Sequence, residues 1–476
     1  MTVPRAGMPK ARRTSTLALR ASRRPIPDDR SRAPRRAVRG ATHLIAEVLM
    51  RTRLLSLALP FMGMAILAQP GGVQAQDVTI RGARILTMEG PPIENGTILV
   101  RDGKIRAVGQ DLQIPVGIPV VDARGLTAMP GIIDAEGRAP GHGIRGLEGP
   151  MRAELIAGDF FDPYGRDYRT ERTLEDLAEW GVTSMNVKLT DSNVFDGVSS
   201  VVKLYAPATY EEHFLKYRAA LRINLGESAR SDEGRFPTTR MGVVAMVREN
   251  FIKAQDYREK WDEYEADEDP EKTPPAMNHG MEHLAAALRG EIPVMMHAVE
   301  PMDVEAALRI GQEFDLRLIL SASSMIPEAL VPALKERDVP VILGTYFASI
   351  NNHIGEQYGF RYETAALLAE NDVPVAFGGL NGETKFLSLN AGIAVQNGMP
   401  HQKALEGLTV VPARMLGVED RVGSLAEGKD ADIVLYEGDP LEITTPVRMV
   451  FIGGRKVYER EAFHPAYSTM GEGGGS

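Results

Sequence analysis

A chain of 476 residues with 43% hydrophobic and 25% charged side chains is globular in composition and long enough for one large domain plus a smaller one. It contains no cysteine, which excludes disulfides, thiolate nucleophiles and Cys-ligated metal sites. Residues 1–76 carry 14 basic and three acidic side chains, leaving 40 basic against 61 acidic beyond them; so acidic a remainder excludes nucleic acid and anionic lipid as its partners.

In chain order, residues 1–49 hold 12 Lys/Arg, three acids and no sustained apolar period. They read as a disordered extension or as sequence upstream of the true start at Met50. Residues 50–75 then read as a signal peptide. Arg51 and Arg53 precede an apolar run from Leu54 to Ala68, and Val73-Gln74-Ala75 offers a small-residue cleavage site. The apolar run is shorter than the ~20 residues needed to span a bilayer. No later segment is apolar enough to do so, which predicts a protein exported to the periplasm or beyond, without a membrane span after cleavage.

From residue 77 to 128 the pattern is short alternating strands separated by Gly turns, with Asp102-Gly103 placed for a tight hairpin. The same texture returns over 419–464. Each stretch is too small to close a good core alone, so the two are expected to form one composite β-sandwich. Between them, 129–418 alternates strand and helix: 181–189, 292–299, 316–323, 339–345 and 373–379 are short Val/Ile/Leu-rich runs with amphipathic helical segments between them. Strands without internal alternation indicate a parallel sheet buried on both faces. The fold class read from the pattern is α/β, a (β/α)8 TIM-like barrel inserted into the composite sandwich. A long charged helix is expected from Thr238 to Glu265, outside the barrel. The Gly-rich residues 465–476 read as a flexible tail.

Several motifs carry a resemblance. "MPGIID" (129–134), "GVTSMNV" (181–187), "SNVFDGVSSVVKL" (192–204), "TTRMGVVAMVR" (238–248) and the long stretch 412–442 resemble the amidohydrolase superfamily, in particular its exported imidazolonepropionase-like subgroup. The resemblance implies hydrolysis of C–N bonds other than peptide bonds by a divalent metal such as zinc, held at the C-terminal mouth of the barrel. It also implies a ligand set: two His on the first barrel strand, one His after each of strands five and six, an Asp after strand eight and, in many members, a carboxylated Lys.

Carried over position by position, most of that set is replaced. The first pair falls on Glu136 and Arg138, and the strand-five His falls on His297. The strand-six position offers only Ser and Ala (318–324), the strand-eight position Gly379, Leu380 and Asn381, and the Lys position Arg222. His297 is thus the one retained ligand position, open to a residual metal contact or to a packed histidine. Glu136 and Arg138, two apart on a strand, are expected to face the same side as an ion pair, either structural or substrate-binding. His142, between two glycines, is a further candidate for the barrel mouth. "HGMEH" (279–283) matches a zinc-protease pattern in form, but no further carboxylate motif accompanies it. "GGLNGET" (378–384) lacks the Lys-Ser/Thr of a phosphate loop.

Three functions follow from these residues. The first is a degenerate, non-catalytic or weakly active subunit beside an intact amidohydrolase paralogue, or in a homo-oligomer. The second is an active atypical hydrolase using His297, Glu136 and His142 with one metal or none. The third is a periplasmic binding protein holding a small-molecule ligand at the barrel mouth.

Overall fold

The computed structural model describes residues 77–138, 151–165, 173–189, 192–205, 209–230, 236–267, 269, 272–322, 326–344, 361–379 and 383–460. Residues 1–49, read as an extension, 50–75, read as a signal peptide, and 465–476, read as a tail, lie outside the described residues, as do His142, Leu380 and Asn381.

The first segment is strand and turn. It contains β1 (Val78–Ile85), β2 (Ile93–Arg101), β3 (Lys104–Gly109), β4 (Val120–Asp122) and β5 (Thr127–Pro130). Asp102 and Gly103 join β2 to β3 with φ of 53° and 71°. Positive φ at both central residues gives the turn a twist that matches the flanking strands, which is why Asp-Gly suits it.

The middle of the chain opens with β6 (Ile132–Gly137), β7 (Val182–Val187), β8 (Phe195–Val198), β9 (Ser200–Lys203), β10 (Phe214–Lys216) and β11 (Leu221–Asn224). The long helix α1 (Arg240–Glu265) follows, then α2 (His279–Leu288). Strand and helix then alternate through β12 (Val294–Ala298), α3 (Pro301–Glu313), β13 (Leu318–Ala322), α4 (Val331–Glu336), β14 (Val341–Leu343), α5 (Thr364–Glu370) and β15 (Val375–Phe377). Three helices, α6 (Leu387–Gln396), α7 (His401–Leu408) and α8 (Val410–Leu416), precede the last strands, β16 (Ile433–Tyr436), β17 (Val447–Ile452) and β18 (Arg455–Glu459).

The chain is a mixed α/β protein. Strands β11 to β15 lie side by side in sequence order, all parallel, with β8 antiparallel on the outer side of β11. All residues of β13, β14 and β15 are buried, as the unbroken apolar runs predict for strands covered on both faces. Strands β6 and β7 pair in parallel, and β9 and β10 extend that sheet antiparallel.

The first and last described segments meet in a third sheet, ordered β18-β17-β16-β5-β1-β2-β3 with β4 beside β1. Its central joint is the antiparallel pairing of β5 with β16, from Thr127 opposite Tyr436 to Pro130 opposite Ile433. Ile80, Ile98, Val100 and Ile105 from the first segment share a core with Leu425, Ile433, Leu435 and Phe451 from the last. A buried charge network ties this sheet to β9. Lys203 Nζ lies 2.8 Å from Asp430 and 2.9 Å from Asp432, and Asp430 also accepts from Lys104 and, at 2.8 Å, from Arg421.

Helix α1 begins where a threonine can cap it. The Thr239 side chain accepts from the Gly242 N–H at 3.1 Å, satisfying one of the helix's orphan donors. Its buried apolar residues, Val243, Val247, Phe251 and Ala254, lie in its first four turns. Among the described residues, no helix is long and apolar enough to cross a membrane.

Candidate functional site

The site grows from the C-terminal ends of β6, β11, β12 and β13. Pairings across β11, β12 and β13 set two rows: Arg222, Met295 and Ile319 in one, Asn224, His297 and Ser321 in the next, two residues nearer the strand ends. Glu136 of β6 reaches both rows. Its Oε1 lies 3.0 Å from Lys188 Nζ and 2.9 Å from Arg222 Nη2, and its Oε2 accepts from Ser321 Oγ. Glu136, Lys188, Arg222 and Ser321 are all buried. An ammonium and a guanidinium on one carboxylate is the arrangement that makes an ionised group tolerable away from water. Arg222 also directs Nη1 at the Met295 sulfur, 2.9 Å away.

Beside this cluster Asp134 is fully buried and clamps two strands together. Its Oδ1 accepts from the Glu136 N–H at 3.0 Å and from the Gly379 N–H at 2.8 Å, while Oδ2 accepts from Thr384 Oγ1 at 2.7 Å. Burial pushes the Asp134 carboxyl above its ordinary value, and the three hydrogen bonds pull the other way. Gly379 has to be glycine here. A Cβ at that position would lie 2.6 Å from Asp134 Oδ2 and 2.7 Å from the Thr384 backbone nitrogen. Gly379→Ala is therefore expected to cost about 1–3 kcal/mol, as overpacked sites do, read as a lowered denaturant midpoint; an unchanged midpoint would contradict this geometry.

The ion pair expected between Glu136 and Arg138 is not formed. Both oxygens of Glu136 are taken by other groups, and Arg138 Nε is buried without a hydrogen-bond partner. The reason is local. The pairing of β6 with β7 shifts register between Asp134 and Gly137, so strict alternation of faces breaks before Arg138, which lies beyond the strand's last residue.

His297 is the only residue of β12 that is not fully buried. Its Nδ1 lies 3.3 Å from Ser321 Oγ. The sequence reading missed Lys188 and Asp134. Lys188 directly follows β7, all of whose residues are buried, and an ionisable residue at the end of that strand was the available signal. In the "HGMEH" stretch, His283 is buried with Nδ1 2.7 Å from the Ala153 carbonyl, while His279 is exposed and Glu282 accepts from the Tyr257 hydroxyl. The two histidines do not share a site.

Among the described residues, the donors in place do not fit a divalent metal. Among these residues, Glu136 already faces two cations and a hydroxyl, His297 has Nδ1 3.3 Å from Ser321 Oγ, and Asp134 accepts from two backbone N–H groups and a threonine hydroxyl. A dication at Glu136 would sit against Lys188 and Arg222 in a medium that screens charge poorly. Among the described residues, no three His, Asp or Glu side chains are grouped to hold an ion.

Comparison with known proteins follows the fold. Residues 374–458 match the Amidohydrolase family. The chain is 25% identical over 397 residues to Amidohydrolase tasK of Hapsidospora irregularis, covering 76% of this chain and 40% of that protein, so it spans less than half of that relative. It is 25% identical over 400 residues to an imidazolonepropionase of Shewanella baltica, covering 76% of this chain and 90% of the relative. Among solved structures, an amidohydrolase from Thermotoga maritima superposes with a TM-score of 0.72 at 28% identity, over 80% of this chain and all of that one. The molinate hydrolase structure, at a TM-score of 0.53 and 18% identity over 80% of this chain and 95% of that one, shares the fold. A β6 strand opening on "IID", the parallel run β11–β15, the sheet that joins β1–β5 to β16–β18 and these relatives together place the chain in the amidohydrolase superfamily.

Proposed function

We propose that the chain is a degenerate amidohydrolase that holds a small molecule at its strand ends without metal-dependent hydrolysis, as a non-catalytic subunit beside an intact paralogue or in a homo-oligomer. One observation carries this reading: the carboxylate of Glu136, at the first ligand position, is held between Lys188 Nζ and Arg222 Nη2 at 3.0 and 2.9 Å. Two side-chain cations stand where a hydrolase of this superfamily needs a dication, and they neutralise the carboxylate from within the protein. Substrate-binding roles for Arg138 and His142 belong to the same proposal.

The architecture proposed with it is a (β/α)8 barrel over 129–418, inserted in a composite β-sandwich of 77–128 and 419–464. The 2.8 Å bond from Gly379, just past β15, to Asp134 of β6 supports closure, because it brings the last parallel strand to the first. Export and cleavage after Ala75, giving a periplasmic or extracellular protein, complete the proposal.

Elemental analysis of protein purified without chelator tests the function. Zinc is expected far below one equivalent, with no gain from Glu136→His together with Arg138→His, since Lys188 and Arg222 remain. Close to one equivalent of zinc in the unmutated protein, with amide hydrolysis abolished by His297→Ala, would refute the proposal in favour of an active atypical hydrolase.

A further inference from the structure

Two exposed tyrosines converge on one turn, Ala157–Phe160. The Tyr210 hydroxyl donates to the Gly158 carbonyl, and the Tyr217 hydroxyl donates to Asp159 Oδ1. Gly158 leaves no room for a side chain, since a Cβ there would lie 2.5 Å from Tyr217 Cε2. Half-buried Phe214 packs against both tyrosines, with ring centroids 5.2 Å from Tyr210 and 4.9 Å from Tyr217 and planes at 66° and 70°. Neither tyrosine is stacked face to face on Phe214, and the two stay 38% and 39% exposed. Both phenols donate inward, so the rings present π surface to solvent rather than a hydroxyl proton.

The charge around these rings is negative. Burial, and the carboxylates of Asp159, Glu211 and Asp162, push the Tyr210 phenol up; burial and the contact with Asp159 push Tyr217 up to about 12. The neighbouring basic side chains are engaged elsewhere. Lys216 Nζ donates to the Leu416 carbonyl at 2.9 Å, and the charge of Arg218 acts on His283 and Glu291. Arg421, 3.5 Å from the Phe214 carbonyl, is held by Asp430 at 2.8 Å.

We propose that Tyr210, Phe214 and Tyr217, with the carboxylates of Asp159 and Glu211, form a binding site for a small organic cation bearing an alkylated ammonium group. The ring quadrupoles attract a cation laid against their faces, and the carboxylates supply the countercharge. The contacts also select among cations. A guanidinium pairs best with both oxygens of a carboxylate, and Asp159 Oδ1 already accepts from Tyr217. A primary ammonium is compact, strongly hydrated and has three protons to place, for which the rings offer no lone pair. An alkylated ammonium carries a diffuse charge on apolar methyl groups, which suits ring faces. None of these residues belongs to the cluster around Glu136, so this inference and the zinc measurement can fail separately.

Titration of the full-length protein with choline chloride, followed by saturation-transfer NMR at the N-methyl resonance, tests the site. Saturable binding is expected, and 3,3-dimethylbutan-1-ol, the neutral carbon isostere, should bind at least about tenfold more weakly. Tyr210→Leu and Asp159→Asn should each raise Kd about three- to fivefold, while Tyr217→Phe, which keeps the ring, should stay within about twofold. Glu211→Gln, at an exposed position outside the ring packing, should weaken choline about twofold and decides the matter should Tyr210→Leu not fold. Absence of saturable choline binding, equal binding of the alcohol, or an affinity unchanged in Glu211→Gln and in folded Tyr210→Leu would each overturn the inference. Sedimentation that changes in Tyr210→Leu, with no choline bound by the unmutated protein, would instead make this face an interface between copies of the chain.

Discussion

Glu136→Gln is expected to destabilise the protein by about 3–5 kcal/mol, the range for removing one partner from a buried ion pair. The loss comes from the two cations left behind. Lys188 and Arg222 would face each other, both buried, with a neutral amide between them. Lys188→Met should cost less, because Arg222 still neutralises Glu136 at 2.9 Å. Adding Lys188→Met to Glu136→Gln should recover part of the loss, since neighbours sharing a network are not additive. Urea denaturation of the three variants checks this order. A Lys188→Met variant weaker than Glu136→Gln would mean that Arg222 does not compensate the carboxylate.

Asp430→Asn is the second large effect expected, about 2 kcal/mol or more, at the junction between β9 and the sheet of the chain ends. The Lys203 ammonium, and hydrogen bonds from Lys104 and Lys203, hold the Asp430 carboxyl down at about 2, against the upward pull of burial. With the folded value below the unfolded one, the stabilisation is present above pH ~4 and fades as pH falls from there toward about 2. In Asp430→Asn that portion of the acid dependence should vanish, so the acid arms of the two proteins should converge. A parallel acid arm in the variant would show that Asp430 does not carry this linkage. Lys203 keeps Asp432 at 2.9 Å in the variant, which is why the loss stays below that expected for Glu136→Gln.

Much of the fold was legible because it depends on neighbours in sequence. The apolar runs at 292–299, 316–323, 339–345 and 373–379 became β12, β13, β14 and β15, and the long charged helix predicted from Thr238 to Glu265 runs from Arg240 to Glu265. The short strands β8 to β11 carry no such run and could not be picked out by periodicity. The site was legible only in part. The positions of Glu136 and His297 followed from the resemblance. The contacts around them did not: Lys188 was not picked out, and no local spacing shows that Arg222, read at the Lys position, or Ser321, 185 residues away in the strand-six stretch, reaches Glu136. Arg138 failed for a different reason: the i, i+2 rule assumes an unbroken pleat, and β6 shifts register before its end.

The joint between β5 and β16 also sets an order of events. Roughly 300 residues separate its two strands, and such distant pairings are slow to form. During synthesis, Thr127 to Pro130 must wait for Ile433 to Tyr436 to emerge, with that edge of the first segment unpaired meanwhile. An open, apolar edge is where a chain finds the wrong partner. A chain ending before Ile433 should therefore be held by chaperones or aggregate even with every strand of the α/β middle present, and a separately supplied 419–460 peptide should compete for the same edge.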